Sequence, residues 1–335
     1  MVTERGRADP LEATMESAEH VWIGNQLTLN LGAGRVSAQK LGLRVSPSAP
    51  WDTMTYGQGI ALGGDFYGVV GAPISTASDP EAAFRRAWRS LVNAGPNKPM
   101  ASSERTQVLE IMDKEIAAVE EALQKGREPS TVYAGLGDEL SVKWTAVTLF
   151  RYLLLAQENW DHFADYAVRA YRAGHSVAMQ EAALAAGAGI GEKDRQVRLE
   201  RAYAMNAFAD HFLTDLFSTG HLRVPRKELN DQVASKMYAG LLARAMHNED
   251  SRLGLKVSNA AGEQWMAYGD KRLLDSVGAE NCKKVVKAAQ LSADEVWQAY
   301  EHPNAARGAA ALRLIPNAEP GTVGNLLVTS GTSAR

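Results

Sequence analysis

The sequence predicts an all-α fold, a bundle of several helices joined by irregular loops, and three observations support this. From residue 79 onward, apolar residues recur at helical spacing, as at Phe84, Trp88 and Leu91. Helix-boundary pairs flank this segment, with Asp79–Pro80 before it and Gly95–Pro96 after it. Hydrophobic residues make up 45% of the 335-residue chain and charged residues 22%, so the chain has enough apolar surface for a large core.

The same patterns divide the chain into elements. The first expected helix begins at Asp9–Pro10. The later ones cover residues 79–95, 109–126, 141–157, 162–186, 193–219, 228–247 and 278–300. Residues 45–78 are rich in Gly, Pro, Ser and Thr, which indicates irregular structure around one short apolar segment. Residues 252–268 carry an Asn-Ala-Ala-Gly turn between apolar residues and favour a small β-hairpin.

This reading gives three regions. Residues 1–45 form an N-terminal helix and extended segment, 46–304 form the main helical domain, and 305–335 form a loose C-terminal tail.

Composition excludes several classes of protein. The formal net charge is −3, from 36 Lys and Arg against 39 Asp and Glu, which argues against a nucleic-acid-coating protein. Cys282 is the one cysteine, so any metal site must use His, Asp and Glu. No signal peptide and no run of about 18 apolar residues is present. We therefore expect either a cytoplasmic protein or one exported by a signal-independent route.

The most informative motif is ADHFLTDLFSTGH. His211 and Asp215 are four residues apart, which places them on one face of a helix, and His221 follows after Gly220. That face is otherwise apolar, and a buried carboxylate there is costly unless it is paired or bound to a metal. Zinc accepts such nitrogen and oxygen ligands. The alternative is a His–Asp hydrogen bond within a core, with an unrelated surface histidine.

Three further segments also carry histidine or acidic residues that could bind a metal. His162 follows Asp161, which could simply cap a helix, and His247 lies three residues before Asp250 with Glu249 between them. Asp65 lies among glycines that allow a close backbone approach, either as a ligand or general base or as a turn-forming residue. His175 and His302 are interpreted as ordinary structural or surface histidines.

Aromatic and basic residues offer substrate contacts. Tyr56, Tyr67 and Trp160 either form an aromatic box for a quaternary ammonium group or belong to the core. Arg223, after the His221 turn, either binds phosphate oxygens or is a surface charge.

Taken in order, these segments resemble one family. The motifs YGQGIALGGDFYG, RYLLLAQENWDHF with AYRAGH, HFLTDLFSTGHLRVPR and HNEDSRLGLKVSNAAGEQWMAYGD span residues 56–270. They resemble the bacterial and fungal zinc-dependent phospholipases C that hydrolyse phosphatidylcholine, in the α-helical superfamily that also contains single-strand nucleases. The resemblance implies a helical bundle around a multinuclear site that holds two or three Zn²⁺ ions.

The resemblance also implies ligand roles. Asp65, His162, His211 and Asp215 would hold one zinc, and His221, His247 and Asp250 another. His20 is the candidate for a third ion. The last cluster departs from the superfamily's His-x3-acid spacing, because its acids stand two and three residues after His247 rather than four.

The resemblance implies a reaction as well. Metal-activated water would attack the phosphodiester, with Asp65 as the residue that orients or deprotonates it, and Tyr67, Trp160 and Arg223 would contact the substrate. The products would be diacylglycerol and a phosphorylated head group, formed during transient contact with a membrane surface, in an extracellular or host-directed setting. Two alternatives remain open: a zinc nuclease or other phosphodiesterase, and a non-catalytic helical protein that binds a lipid or a partner.

Overall fold

Helices dominate the computed structural model, which describes residues 17–320 apart from the side chains at 134, 137 and 138. The helices, in chain order, are α1 (Ser17–Asn25), α2 (Tyr56–Leu62), α3 (Pro80–Asn93), α4 (Glu104–Gln124), α5 (Ser130–Val147), α6 (Arg151–Gln157), α7 (Ala164–Ala185), α8 (Glu192–Asp215), α9 (Thr219–Leu222), α10 (Arg226–Gln232), α11 (Lys236–Leu253) and α12 (Ala279–Glu301). The α-rich prediction is confirmed. The predicted start of the first helix at Asp9–Pro10 lies outside the described residues.

The strands are short and antiparallel. They are β1 (Thr28–Asn30), β2 (Arg35–Ser37), β3 (Leu43–Ser46), β4 (Ala49–Met54), β5 (Leu255–Ser258), β6 (Gln264–Ala267) and β7 (Asn317–Ala318). β1 pairs with β2, β3 pairs with β4, and β5 lies between β6 and β7. The predicted hairpin is β5–β6, with Val257 opposite Trp265.

Local sequence sets several helix starts. The Asp79 side chain accepts a hydrogen bond from the backbone N–H of Ala82, and Pro80 fills the first helical position of α3. Thr55 and Gln58 form a capping box that begins α2 immediately after β4. This cap turns the chain from the hairpin into the short helix that leads to Asp65.

The main core lies around α8, which packs against α7, α2, α12 and β3. Alanines line much of α7 and α8, including Ala170, Ala178, Ala204 and Ala209, all fully buried. Because small side chains let helix axes approach closely, α8 is buried around most of its circumference in its C-terminal half. That burial is the reason why polar residues at this end of α8 are withdrawn from water.

Several boundaries differ from the sequence prediction. The segment 141–157 is broken at 148–150, and 228–247 contains the separate helices α10 and α11. The β3–β4 hairpin was not predicted. Residues 310–313 form a 3-10 turn and β7 pairs with β5, so the prediction of a loose tail from residue 305 is wrong for its described part. Residues 321–335 of that tail lie outside the described residues.

Over residues 17–320, no helix combines the length and the apolar character that crossing a membrane requires.

Candidate metal centre

The C-terminal end of α8 presents His211 and Asp215 on one buried face, as their spacing predicts. Both side chains are essentially inaccessible, and His211 Nε2 lies 3.5 Å from Asp215 Oδ2. The α-helical repeat of 3.6 residues stacks positions four apart, which brings the imidazole and the carboxylate to the same point. This pair is the base on which the remaining residues converge.

Asp65 and His162 join that pair from the loop after α2 and from the 3-10 turn before α7. His162 Nδ1 lies 2.7 Å from Asp215 Oδ2 and 3.0 Å from His211 Nε2. The two oxygens of Asp65 each lie 3.9 Å from an imidazole nitrogen, one on His162 and one on His211. All four predicted ligands of the first site therefore meet in one buried cluster.

His20 reaches the same carboxylate from α1. Its Nε2 lies 3.6 Å from Asp215 Oδ1, and neither of these two buried atoms has a hydrogen-bond partner among the described residues. The His20 ring also lies beside the His211 ring, with centroids 4.5 Å apart. Asp215 consequently faces histidines with both oxygens, Oδ2 toward His162 and His211 and Oδ1 toward His20.

A second cluster contains His221, His247 and Asp270, all buried. His247 Nε2 lies 2.9 Å from Asp270 Oδ2, and His221 Nε2 lies 3.6 Å from the same oxygen. His221 Nδ1 is also 3.9 Å from Asp215 Oδ2, so the second cluster adjoins the first. His221 and His247 lie together, as the prediction of a shared site requires, whereas Asp270 was not predicted.

The expected third member, Asp250, is placed elsewhere. Its Oδ2 accepts a hydrogen bond from Arg223 Nε at 2.9 Å and its Oδ1 accepts one from Arg223 Nη2 at 2.8 Å. Asp250 lies about one helical turn after His247 on α11, but both of its carboxylate oxygens are taken by the Arg223 guanidinium. The assignments of Asp250 as a ligand and of Arg223 as a phosphate contact are therefore corrected: the two form a bidentate ion pair.

Asp270 replaces Asp250 because the loop after β6 comes unusually close to α11. The residue four after His247 is Ser251, and the Gly269 N–H donates a hydrogen bond to its carbonyl at 3.0 Å. A Cβ at Gly269 would lie 2.2 Å from Ser251 Oγ, so two small residues permit this contact. No periodic pattern in the sequence indicates Asp270, which lies on a loop 23 residues after His247.

Two side chains fix the orientation of this loop. The Ser218 hydroxyl donates a hydrogen bond to Asp270 Oδ1 at 2.5 Å, which leaves Oδ2 toward the histidines. The buried Glu19 carboxylate accepts hydrogen bonds from the N–H groups of Lys271 and Leu273. Since Glu19 precedes His20 on α1, it ties the helix of His20 to the loop of Asp270.

Three of the imidazoles are oriented through Nδ1 in the same way. His211 Nδ1 lies 2.9 Å from a backbone carbonyl of α2, and His221 Nδ1 lies 2.9 Å from the carbonyl of His162. His20 Nδ1 lies 3.0 Å from the hydroxyl of Thr214. An Nδ1–H that donates to such an acceptor leaves Nε2 deprotonated and aimed into the cluster. This is the arrangement that metal-ligating histidines use.

Burial favours the neutral form of the His20, His162 and His211 imidazoles. It lowers the pKa of His162 to about 3 and holds the pKa of His20 and His211 well below the usual value. Burial also raises the pKa of Asp215 to about 8. A neutral imidazole is the form that binds a metal, and a buried carboxylate gains most from a cation beside it.

The second cluster differs in its electrostatics. Burial alone would raise the pKa of Asp270, but the facing His247 and His221 hold it well below its usual range. Burial alone would lower the pKa of His247. The attraction of the Asp270 carboxylate outweighs burial and raises the pKa of that imidazole. A cation at this position would take over the role of the proton on His247.

Three of the separations suit a shared metal ion, whereas His162–Asp215, His211–His162 and His247–Asp270 lie at hydrogen-bond distance. Two ligands that each lie 2.0–2.2 Å from a tetrahedral ion are about 3.3–3.6 Å apart. The pairs His20–Asp215, His211–Asp215 and His221–Asp270 lie 3.5–3.6 Å apart, too long for hydrogen bonds but suited to a shared cation. The buried clusters could hold metal ions, and their nitrogen and oxygen donors suit Zn²⁺.

An apolar pocket reaches the first cluster. Its wall includes Gly64, Val69, Val70 and Leu154. Gly64 lies directly against the imidazoles, because a Cβ there would be 2.7 Å from carbon atoms of both His162 and His211.

The predicted aromatic contacts are distributed around this region. Tyr56 lies in the core, where its hydroxyl donates to Asp210 at 2.7 Å. Tyr67 lines the pocket with the Arg151 guanidinium over its ring at 5.1 Å. The buried Trp160 ring carries Lys227 Nζ at 5.8 Å from its centroid. Tyr56 therefore does not take part in a box, and a protein cation already faces each of the other two rings.

The remaining histidines lie outside the clusters. His175 is buried in a polar network, with Nδ1 2.6 Å from Asn206 Oδ1 and Nε2 3.1 Å from Glu295, which confirms its structural interpretation. His302 is exposed just beyond α12.

No family model, curated protein or solved structure matches this chain. The family resemblance noted from the motifs therefore stays a prediction.

Proposed function

We propose that this protein is a zinc-dependent phosphodiester hydrolase of the phospholipase C type. The observation that carries the proposal is the convergence of five histidines and three aspartates from distant segments into two adjoining buried clusters. They are His20, Asp65, His162, His211, Asp215, His221, His247 and Asp270. Such a set is costly to bury unless cations compensate it.

The residues divide into ligand sets. Asp65, His162 and His211 would hold one zinc ion, with Asp215 beside them at 2.7 Å from His162 Nδ1, and His221, His247 and Asp270 would hold a second. His20 with Asp215 Oδ1 offers a third position, so two or three ions fit. Bound zinc lowers the pKa of a coordinated water to about 7 and neutralises phosphoryl oxygens.

Asp65 is the residue we assign to the water. Its side chain is slightly exposed where those of His211 and Asp215 are not, and its two oxygens lie 3.9 Å from the imidazoles of His162 and His211. Asp65 accepts a proton from water as the water oxygen bonds to phosphorus. The bond from phosphorus to the glycerol oxygen breaks, and the alkoxide takes the proton that Asp65 received, which gives diacylglycerol and a phosphorylated head group.

The pocket favours a lipid substrate. Its described wall is mainly aliphatic beside the cluster, with Val69, Val70, Ile74, Leu154 and Leu155. Hydrocarbon packs against such a surface, whereas nucleases that bind single strands use stacking platforms and basic grooves. The net charge of −3 agrees with a substrate other than nucleic acid.

The test compares two substrates on zinc-loaded protein. We expect release of phosphocholine from phosphatidylcholine vesicles, inhibition by a chelator, and little nucleotide release from single-stranded DNA. His211→Ala and Asp215→Ala should abolish the activity and lose zinc, whereas His302→Ala, at an exposed position, should retain both. Preferential nucleotide release would indicate a nuclease instead. Zinc-loaded protein that cleaves neither substrate would refute the enzyme assignment.

A further inference from the structure

An exposed apolar patch borders the mouth of the pocket. We call it the rim patch and define it as Val69, Val70, Leu149, Phe150 and Leu154. Leu149 is 82% exposed and Phe150 65%, which is unusual for adjacent large apolar residues. A contiguous apolar surface of this kind marks a place of interaction.

The backbone at Leu149 and Phe150 is strained in a way that keeps both side chains outside. Their φ angles are +48° and +66°, in the left-handed region, where Gly or Asn is the usual residue. A bulky residue there is destabilising, because its Cβ lies too close to the backbone. Strain of this kind persists only where the surroundings enforce it, and it concentrates at functional sites.

The surroundings do enforce this conformation. The Phe150 N–H donates to the carbonyl of Thr145 at 2.9 Å, and the Arg151 N–H donates to that of Thr148 at 3.0 Å. The buried Thr148 hydroxyl donates to the carbonyl of Trp144 and accepts from the N–H of Tyr152, so it joins the end of α5 to α6. The turn is a built feature of the fold.

The rim patch is continuous with the pocket. The Leu154 N–H donates to the carbonyl of Phe150 at 3.1 Å, which places the two residues one helical turn apart. Leu154, Val69 and Val70 also line the pocket, and so does Gly64, which lies against the imidazoles of His162 and His211. A hydrocarbon chain that contacts the patch therefore lies at the entrance to the candidate metal centre.

The charges beside the patch indicate an electrically neutral partner surface. Arg151 begins α6 and is the one charged residue of that helix, whose sequence is RYLLLAQ. Its guanidinium is already paired with Glu104, with one contact at 3.1 Å, and lies over Tyr67. Recognition at this surface is consequently hydrophobic, with little electrostatic attraction.

We infer that the rim patch penetrates the surface of a zwitterionic phospholipid bilayer and positions the pocket over a head group. This inference rests on the proposed phospholipase function and extends it by naming the docking residues. Leu149 and Phe150 enter the acyl boundary, and Val69, Val70 and Leu154 guide the lipid toward the cluster.

The experiment uses the double variant Leu149→Asn, Phe150→Asn. Asn adopts left-handed φ readily, so the variant should keep or raise the melting temperature. Co-sedimentation with phosphatidylcholine vesicles should show binding weakened at least about tenfold, from the loss of two inserted apolar side chains. Wild-type binding should change little between low and high salt.

The matched control is Leu184→Asn. Leu184 is 58% exposed and lies near the C-terminal end of α7. The first residue of α7 follows His162 closely, and Leu184 lies 20 residues further on, about 30 Å along the helix. This variant removes a comparable exposed apolar side chain far from the pocket, so its vesicle binding should equal that of wild type.

The outcomes separate this inference from the proposed function. Equal vesicle binding by wild type and the double variant overturns the inference, as does loss of self-association without loss of lipid binding. Patch-dependent vesicle binding by a protein that releases no phosphocholine supports the docking surface and refutes the phospholipase activity. Turnover can also be measured on vesicles and on a water-soluble phosphodiester. If the double variant loses turnover on vesicles but keeps it on the soluble substrate, the result supports both the docking surface and the phospholipase activity.

Discussion

Gly64 provides a test of the first cluster that leaves every proposed ligand in place. The residue has φ +65° and lies against two imidazoles. The variant Gly64→Ala would add a Cβ 2.7 Å from His162 Cε1 and from His211 Cδ2. We expect the variant to fold but to lose zinc from this cluster.

The magnitude follows from two terms. The left-handed φ alone costs an alanine about 1–2 kcal/mol. Carbon atoms in contact lie at about 3.5 Å or more, so the imidazoles must move by roughly 0.8 Å from the 2.7 Å approach. Zinc sites tolerate deviations of about 0.2 Å in ligand distance. A displacement several times larger should remove at least one ion and reduce activity about a hundredfold.

Gly126 supplies the matched control. Its φ is +64°, almost the same as that of Gly64, but a Cβ there would meet nothing within 4 Å. Gly126→Ala therefore isolates the cost of the backbone conformation. Zinc content from inductively coupled plasma mass spectrometry and the melting temperature should be measured for both variants. If Gly64→Ala retains as much zinc as Gly126→Ala, the proposed arrangement of His162 and His211 around an ion is wrong.

Further predictions concern the second cluster, the core and the cysteine. Asp270→Asn should lose one zinc ion per chain, whereas Asp250→Asn should keep all of them. Full zinc content in Asp270→Asn would contradict the assignment of Asp270, and loss of zinc from Asp250→Asn would restore Asp250 as a ligand. Asp52→Ala removes the carboxylate that pairs with the buried guanidinium of Arg105, so it should lower the free energy of unfolding by about 3–5 kcal/mol. Urea denaturation measures this, and a change below about 1 kcal/mol would contradict the prediction. Burial raises the pKa of the Cys282 thiol to about 12. At pH 8 its thiolate fraction, and therefore its rate of alkylation by iodoacetamide, should be about a thousandfold lower than in urea-unfolded protein. Equal alkylation rates in the two states would show that the thiol is accessible.

The sequence was most informative where a pattern is local. The i, i+4 spacing of His211 and Asp215 places both on one face of α8, because helical geometry fixes that relationship without tertiary information. The cap at Asp79 and Pro80 likewise marks the start of α3, since Asp79 bonds to the first turn. Predictions of this kind depend on a few neighbouring residues.

The assignment of Asp250 failed because proximity in sequence was taken for proximity in space. Asp250 follows His247 closely on α11, yet Arg223 holds its carboxylate. The loop contact between Gly269 and Ser251 brings Asp270 to His247 instead. That contact depends on tertiary packing, which no spacing in the sequence encodes.

The strained turn at Leu149 and Phe150 was also outside the reach of pattern reasoning. Apolar residues in 141–157 suggest one continuous helix, and neither Gly nor Pro marks the break. The break is set by backbone hydrogen bonds and the Thr148 hydroxyl, which close α5 and begin α6. Local composition is uninformative where hydrogen bonds impose a conformation that the residues do not prefer.

Zinc stoichiometry tests the central claim most directly. The protein should be dialysed against excess zinc, freed of unbound metal, and analysed for bound ions per chain. The convergence of five imidazoles and three carboxylates predicts two or three tightly bound ions and a lower melting temperature after chelation. Fewer than one ion per chain, with no change in melting temperature on chelation, would contradict the account.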